Sequence, residues 1–219
     1  MSLLTQIYHL LAWELRREWR DKYALGSVLL YVVTTTTIVY LGLTNLSTMT
    51  FNAMFWVVLF FGATVAAGRS FLREGGRRHY YYYTLAAPEA LLVAKLIANV
   101  LTIFLIALLA WALLSFFAEG NLLSDVGYWL TALALGSLGL GAILTFVAAV
   151  AARAGGNATL MAVLSLPLLI PLLYLLVSAG ARATHDIRGQ EAEILAYVGA
   201  VDLLALAAGL VLFPFVWRD

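Results

Sequence analysis

Six stretches of this chain are each apolar over roughly the length that crosses a bilayer, and no other feature constrains its fold as strongly. They run approximately over Ala24–Leu43, Phe51–Gly68, Leu91–Phe117, Tyr128–Ala151, Thr159–Ala179 and Leu195–Val216. A hydrocarbon core about 30 Å thick needs roughly 20 residues of helix. Hydrocarbon offers backbone groups no partner, so such runs must be helices or strands of a closed barrel. The period-two alternation of barrel strands is missing, which leaves helices. Composition agrees: 63% of the 219 residues are hydrophobic and 11% charged, with a mean hydropathy of +0.94. Soluble domains carry about 45–50% apolar and about 25% charged residues. The expected fold is an all-α integral membrane protein of six transmembrane helices, with residues 1–219 forming one membrane domain. The opening stretch, Met1–Lys22, does not read as a signal peptide, because its basic residues follow the apolar part.

Lys and Arg give the direction. With both termini inside, eleven of the thirteen basic residues fall on the cytoplasmic side, and only Arg182 and Arg188 fall outside. That bias predicts a multi-pass protein of the bacterial inner membrane with cytoplasmic termini. The first two spans, joined by Thr44–Thr50, should form a tight hairpin. Ahead of them, Leu4, Ile7, Tyr8, Leu11, Leu15 and Trp19 share one helical face, with Glu14, Arg17 and Glu18 largely off it. This pattern predicts an amphipathic helix over about residues 2–21, lying in the cytoplasmic interface with its apolar side chains in the lipid boundary and its charges in water. The alternative is an N-terminal extension of the first span.

Few residues could carry chemistry inside the membrane. Asp202 lies in the last span and reads as a helix-end or lumen-facing carboxylate, with a proton or substrate site as the alternative. Lys95 is expected to snorkel to the inner surface. Pro88 and Glu89 read as ordinary helix-start chemistry. His9, His79 and His185 lack the paired spacing of a helical metal site; His185, beside Asp186, is at most a weak ligand candidate. No cysteine is present, so thiolate sites and CxxCH haem attachment are excluded. There is no GxSxG, HExxH or Walker A motif, so ATP hydrolysis has to come from another polypeptide. Gly136, Gly139 and Gly141 allow close helix packing in span four. Pro167 and Pro171 should kink or break span five, either to line a pathway or as a static packing feature.

The segment Arg69–Pro88, RSFLREGGRRHYYYYTLAAP, is the polar island between spans two and three. Arg69, Arg73, Arg77 and Arg78 stand with Glu74 and His79 beside Tyr80, Tyr81, Tyr82 and Tyr83. Part of this pattern is explained by lipid anchoring and an aromatic belt. Four successive helical tyrosines point about 100° apart, so some must meet protein rather than lipid. Arg and Tyr are also enriched at interface hot spots. The segment reads as a docking surface for a soluble partner.

At these residues the chain resembles the CcmB family, the permease subunit of the ABC transporter of cytochrome c maturation, the haem exporter. The likeness rests on Arg69–Glu74, the run YYYYTLAAPEALLVAK (Tyr80–Lys95) and LPLLIPLL (Leu166–Leu173), and it extends over essentially the whole chain. The tyrosine-rich loop looks most like the form in Bacteroidota-type members. The resemblance implies an ABC-2-type permease fold and a non-catalytic subunit that pairs with a second copy of itself and with a cytoplasmic ABC ATPase holding ATP. It implies that Arg69–Ala87 acts as the coupling loop, and that Ala151–Ala158, with Arg153, makes a smaller second contact. It also implies a haem-handling membrane subunit, a small single-span subunit and a periplasmic haem chaperone as partners. Haem is then cargo of the complex, whether or not it passes through this chain, and no cofactor is assigned to the chain itself. The partner subunit's tryptophan-rich haem signature is absent, since Trp13, Trp19, Trp56, Trp111, Trp129 and Trp217 are scattered. Two other readings remain: a generic ABC-2 exporter of lipid, drug or polysaccharide, and a force-transmitting scaffold that moves no cargo. An intramembrane enzyme centred on Asp202 or His185 is a further rival.

Overall fold

The computed structural model describes residues 2–42, 47–72, 87–117, 123–154, 158–184 and 191–218. Those residues form seven helices: α1 Leu3–Arg20, α2 Lys22–Gly42, α3 Thr48–Leu72, α4 Pro88–Phe117, α5 Val126–Arg153, α6 Ala158–Thr184 and α7 Glu191–Arg218. The last five contain stretches long and apolar enough to span a bilayer. The apolar part of α2, Gly26–Gly42, is shorter.

α5 is the hub of the bundle, packing against α3, α4, α6 and α7. Its three glycines explain how one helix takes four neighbours. A Cβ on Gly136 would meet Leu176 of α6 and Trp56 of α3, each at 3.0 Å. At Gly139 it would strike Asp202 of α7 and Leu172 of α6. At Gly141 it would fall 2.5 Å from Val100 of α4. Each missing side chain thus admits a different neighbour, the close approach that small residues permit in membranes. Beside the hub, Phe51, Phe55, Trp56 and Trp129 are buried and pack as one aromatic cluster, with ring centroids 4.8–6.4 Å apart. Two tryptophans far apart in sequence therefore meet in the core.

α2 and α3 form the expected hairpin, pinned by Tyr31 Oη donating to the Val58 carbonyl and by Arg69 Nη1 donating to Ser27 Oγ. α6 runs unbroken through Pro167 and Pro171, so neither proline divides that helix. Each still removes one backbone donor; a break would have exposed several more groups to hydrocarbon.

α1 is a separate helix, as expected, but its charges are placed differently. It is no extension of α2: its last turn closes at Asp21, whose N–H donates to the carbonyls of Arg17 and Glu18. Its charged side, expected in water, turns to α4 instead. Leu4 and Trp19 are each 78% exposed, whereas Glu14 is 5% exposed. Apolar side chains face outward and carboxylates face α4. The reason is the solvent. An amphipathic helix beside a bilayer can leave its apolar face to lipid and bury its charges, provided the protein supplies partners.

Candidate functional site

The partners are on α4, and together with α1 they build a buried polar clasp at the foot of the Arg69–Pro88 segment. Three contacts advance along both helices in step. Gln6 Oε1 accepts from the Ala87 amide at 3.0 Å, Lys95 Nζ donates to Glu14 Oε1 at 2.7 Å, and Thr102 Oγ1 donates to Glu18 Oε2 at 2.7 Å. From Gln6 to Glu18 is about 18 Å of helix and from Ala87 to Thr102 about 22 Å. α1 therefore runs alongside the first turns of α4 in the same direction, not across them. Gln6 supplies an acceptor to the amide just ahead of Pro88, at the end where backbone donors lack intrahelical partners. Proline in the first turn and Glu89 beside it are the expected start chemistry.

Lys95 is 0% exposed, so it does not snorkel. Its ammonium stays inside because Glu14 neutralises it at hydrogen-bond distance; without that pair, burying the charge would be prohibitive. Arg17 adds a second cation 3.8 Å from Glu14 Oε2 and lies over the Trp13 ring, 5.3 Å from its centroid. Burial, the largest influence, pushes the Glu18 carboxyl above its usual range, opposed by the Thr102 hydrogen bond and the charges of Arg69 and Lys95. Arg69 thereby links α3 to the same cluster. The clasp gathers residues from α1, α3 and α4, and it lies where the Arg69–Pro88 segment leaves α3 and re-enters at α4.

Of the predicted coupling loop, residues 69–72 and Ala87 fall among the described residues; Arg73, Glu74, Arg77, Arg78, His79, Tyr80, Tyr81, Tyr82 and Tyr83 lie outside them. Arg153 is exposed in the last turn of α5. His185 lies outside the described residues. Asp202 is neither wet nor terminal. It stands eleven residues inside α7 and is 1% exposed against Gly139. Neither of its oxygens has a hydrogen-bond partner among the described residues. Among the described residues, no three His, Cys, Asp or Glu side chains gather as a metal site.

Asn99 escaped the sequence reading, which took Glu14 and Glu18 only for charges in water. Asn99 Nδ2 donates to Thr145 Oγ1 at 2.8 Å and ties α4 to the hub. A usable signal was present: two glutamates four residues apart on α1, and a lone lysine in an apolar run of matching helical length.

A search of the curated proteins finds no match. A family model described as CcmB protein matches residues 5–217. That span takes in α2 to α6 whole and nearly all of α1 and α7, and with it the clasp. The chain belongs to the CcmB family, and membership implies the membrane permease component of a haem-exporting ABC transporter of cytochrome c maturation, working with an ATPase partner.

Proposed function

We propose that this chain is a six-span, single-domain permease subunit that converts ATP hydrolysis on a cytoplasmic ATPase into haem delivery, or into release of the haem-loaded periplasmic chaperone. The ATPase docks on Arg69–Ala87, with Arg153 as a smaller second contact. A second copy of the chain, a haem-handling membrane subunit and a small single-span subunit complete the assembly. α2 is the sixth span. Its apolar part rises about 25 Å, a shortfall that a bilayer absorbs at modest cost. Arg69 and Arg153 end α3 and α5 in their last turns, which supports a cytoplasmic location for those ends and for both termini. The outward apolar face of α1 suits the lipid boundary.

The observation that carries the coupling reading is the buried Lys95–Glu14 bond. Force applied to the docking segment reaches α4 first, and a pair this buried obliges α1 to move with α4. The displacement then passes to the hub through Asn99–Thr145 and Val100–Gly141. Such a device requires two packing states that bind ATP and ADP unequally. The test is Arg77→Glu with Arg78→Glu. Loss of ATPase co-purification with the membrane subunits intact is expected; undiminished co-purification removes the docking assignment.

The second reading, a subunit that transmits force and moves no cargo itself, is favoured by the aromatic cluster that fills the core beside α5. It predicts that the purified complex holds haem only on other subunits, as absorption spectra of each separated chain would reveal.

A further inference from the structure

The opening of the chain is almost neutral in sequence and cationic on its surface. Residues 2–23 carry three acids, Glu14, Glu18 and Asp21, and four bases, Arg16, Arg17, Arg20 and Lys22. Folding sorts them. Glu14 and Glu18 turn to Lys95 and Thr102 of α4, and Asp21 is half-buried. Arg17 is engaged by Glu14 and lies over Trp13. Arg16, Arg20 and Lys22 stay exposed, and none of the three has a hydrogen-bond or ion-pair partner. Burial of the carboxylates therefore leaves only positive charge on the outer side of α1.

That outer side has two halves. At about 100° per residue, Leu4, Tyr8, Leu15 and Trp19 share one half, and all four are exposed. His9, Arg16 and Arg20, also exposed, share the other. The two arginines lie about 40° apart around the helix, with Trp13 on one side of them and Trp19 on the other. Those tryptophans are 43% and 78% exposed, and Tyr23, just past Lys22, is 91% exposed.

An indole has an apolar body and a polar N–H, so exposed tryptophans favour the head-group level of a bilayer. Cations set between them lie at the depth of lipid phosphates. A guanidinium meets phosphate through paired, charge-assisted hydrogen bonds. A zwitterionic head also brings an ammonium, which the arginines repel; an anionic head does not. The arginine half runs directly into the apolar half, so its occupant borders both, and a lipid supplies head group and chain at once. A soluble acidic protein supplies only the first. We infer that Arg16, Arg20 and Lys22 bind the phosphates of anionic phospholipid, such as phosphatidylglycerol, in the leaflet on the α1 side. Through the Lys95–Glu14 bond, a helix anchored in this way holds the start of α4 at a fixed depth. The inference does not depend on which polypeptide docks on the Arg69–Ala87 segment.

The test uses the full chain, purified in mild detergent with its accompanying subunits and returned to nanodiscs of equal parts phosphatidylethanolamine and phosphatidylglycerol. Native mass spectrometry then reads the lipids retained. Wild type should retain phosphatidylglycerol with a preference of about tenfold. Combining Arg16→Gln, Arg20→Gln and Lys22→Gln should lower that preference about fivefold or more, with an unchanged melting point. Arg16→Lys with Arg20→Lys, which keeps the charge, should keep most of it. A photoreactive side chain at position 9, on the arginine half, should capture phosphatidylglycerol, and the triple variant should lose that capture. Equal retention of both lipids by wild type overturns the proposal. So does an unchanged preference in the triple variant, or capture of a polypeptide at position 9 in place of lipid.

Discussion

The clasp and the α5 hub hold helices together by opposite means. At the clasp, α1 and α4 share a buried ion pair and two polar contacts. At the hub, α5 admits its neighbours by having no side chain at Gly136, Gly139 and Gly141. The first contact is strong only while both partners remain, because each charge is intolerable alone. The second is made of shape, and it fails when a single methyl group is added. A joint of buried complementary charges moves as one unit, because parting it would strand each charge away from water. A joint of interlocked backbones resists sliding. The difference ties α1 to α4 by charge beside the Arg69–Ala87 segment and locks α5 to its neighbours by shape.

The sharpest way to break this comparison is to orphan one charge. Lys95→Met, leaving Glu14 buried with only the 3.8 Å contact to Arg17, should cost about 3–5 kcal/mol. Adding Glu14→Leu should recover much of that loss, as a double-mutant cycle followed by detergent melting would register. If the double variant is as unstable as the single, the clasp is a packing contact and not a charge pair.

A smaller effect tests the hub. Gly139→Ala drives a methyl into Asp202 and Leu172 and should destabilise by about 1–3 kcal/mol. Gly199→Ala, in α7 with nothing within 4 Å, should instead be neutral or raise the melting point, by up to about 1 kcal/mol. Equal melting of the two variants would remove the glycine account of α5.

The smallest effect is electrostatic. Burial raises the Glu18 carboxyl above its usual value of 4.5. The folded protein therefore keeps that proton to higher pH than the unfolded chain does. Glu18 then contributes stability at low pH that is lost as pH rises through the raised value. Hydrogen exchange in α1 should speed up modestly across that window, and Glu18→Gln should flatten the response.

Much of the helix plan was legible from apolar run length alone. The runs beginning at Phe51, Leu91, Tyr128, Thr159 and Leu195 each lie within a helix a few residues longer. The ends ran over because interfacial polar residues such as Arg69 and Arg153 continue a helix without adding hydropathy. Inside the spans, prediction fared less well. Lys95 was expected at the surface and Asp202 near water, yet both are buried, because a sequence does not say which face of a helix meets protein. The same ambiguity put the carboxylates of α1 in water, whereas they turn to α4. Periodicity separated Leu4 and Trp19 from Glu14 and Glu18 correctly, but it could not tell whether the apolar or the charged side turns inward.

The sequence by itself determined that this chain lives in a bilayer, that its helices follow the apolar runs, and that a basic, tyrosine-rich segment interrupts them. Backbone amides excluded from water leave no other solution. Only the tertiary structure decided that Glu14 meets Lys95, that Gly139 receives Asp202, and that α1 turns its carboxylates to α4. Those pairings depend on distances between helices far apart in the chain, and no local pattern encodes them.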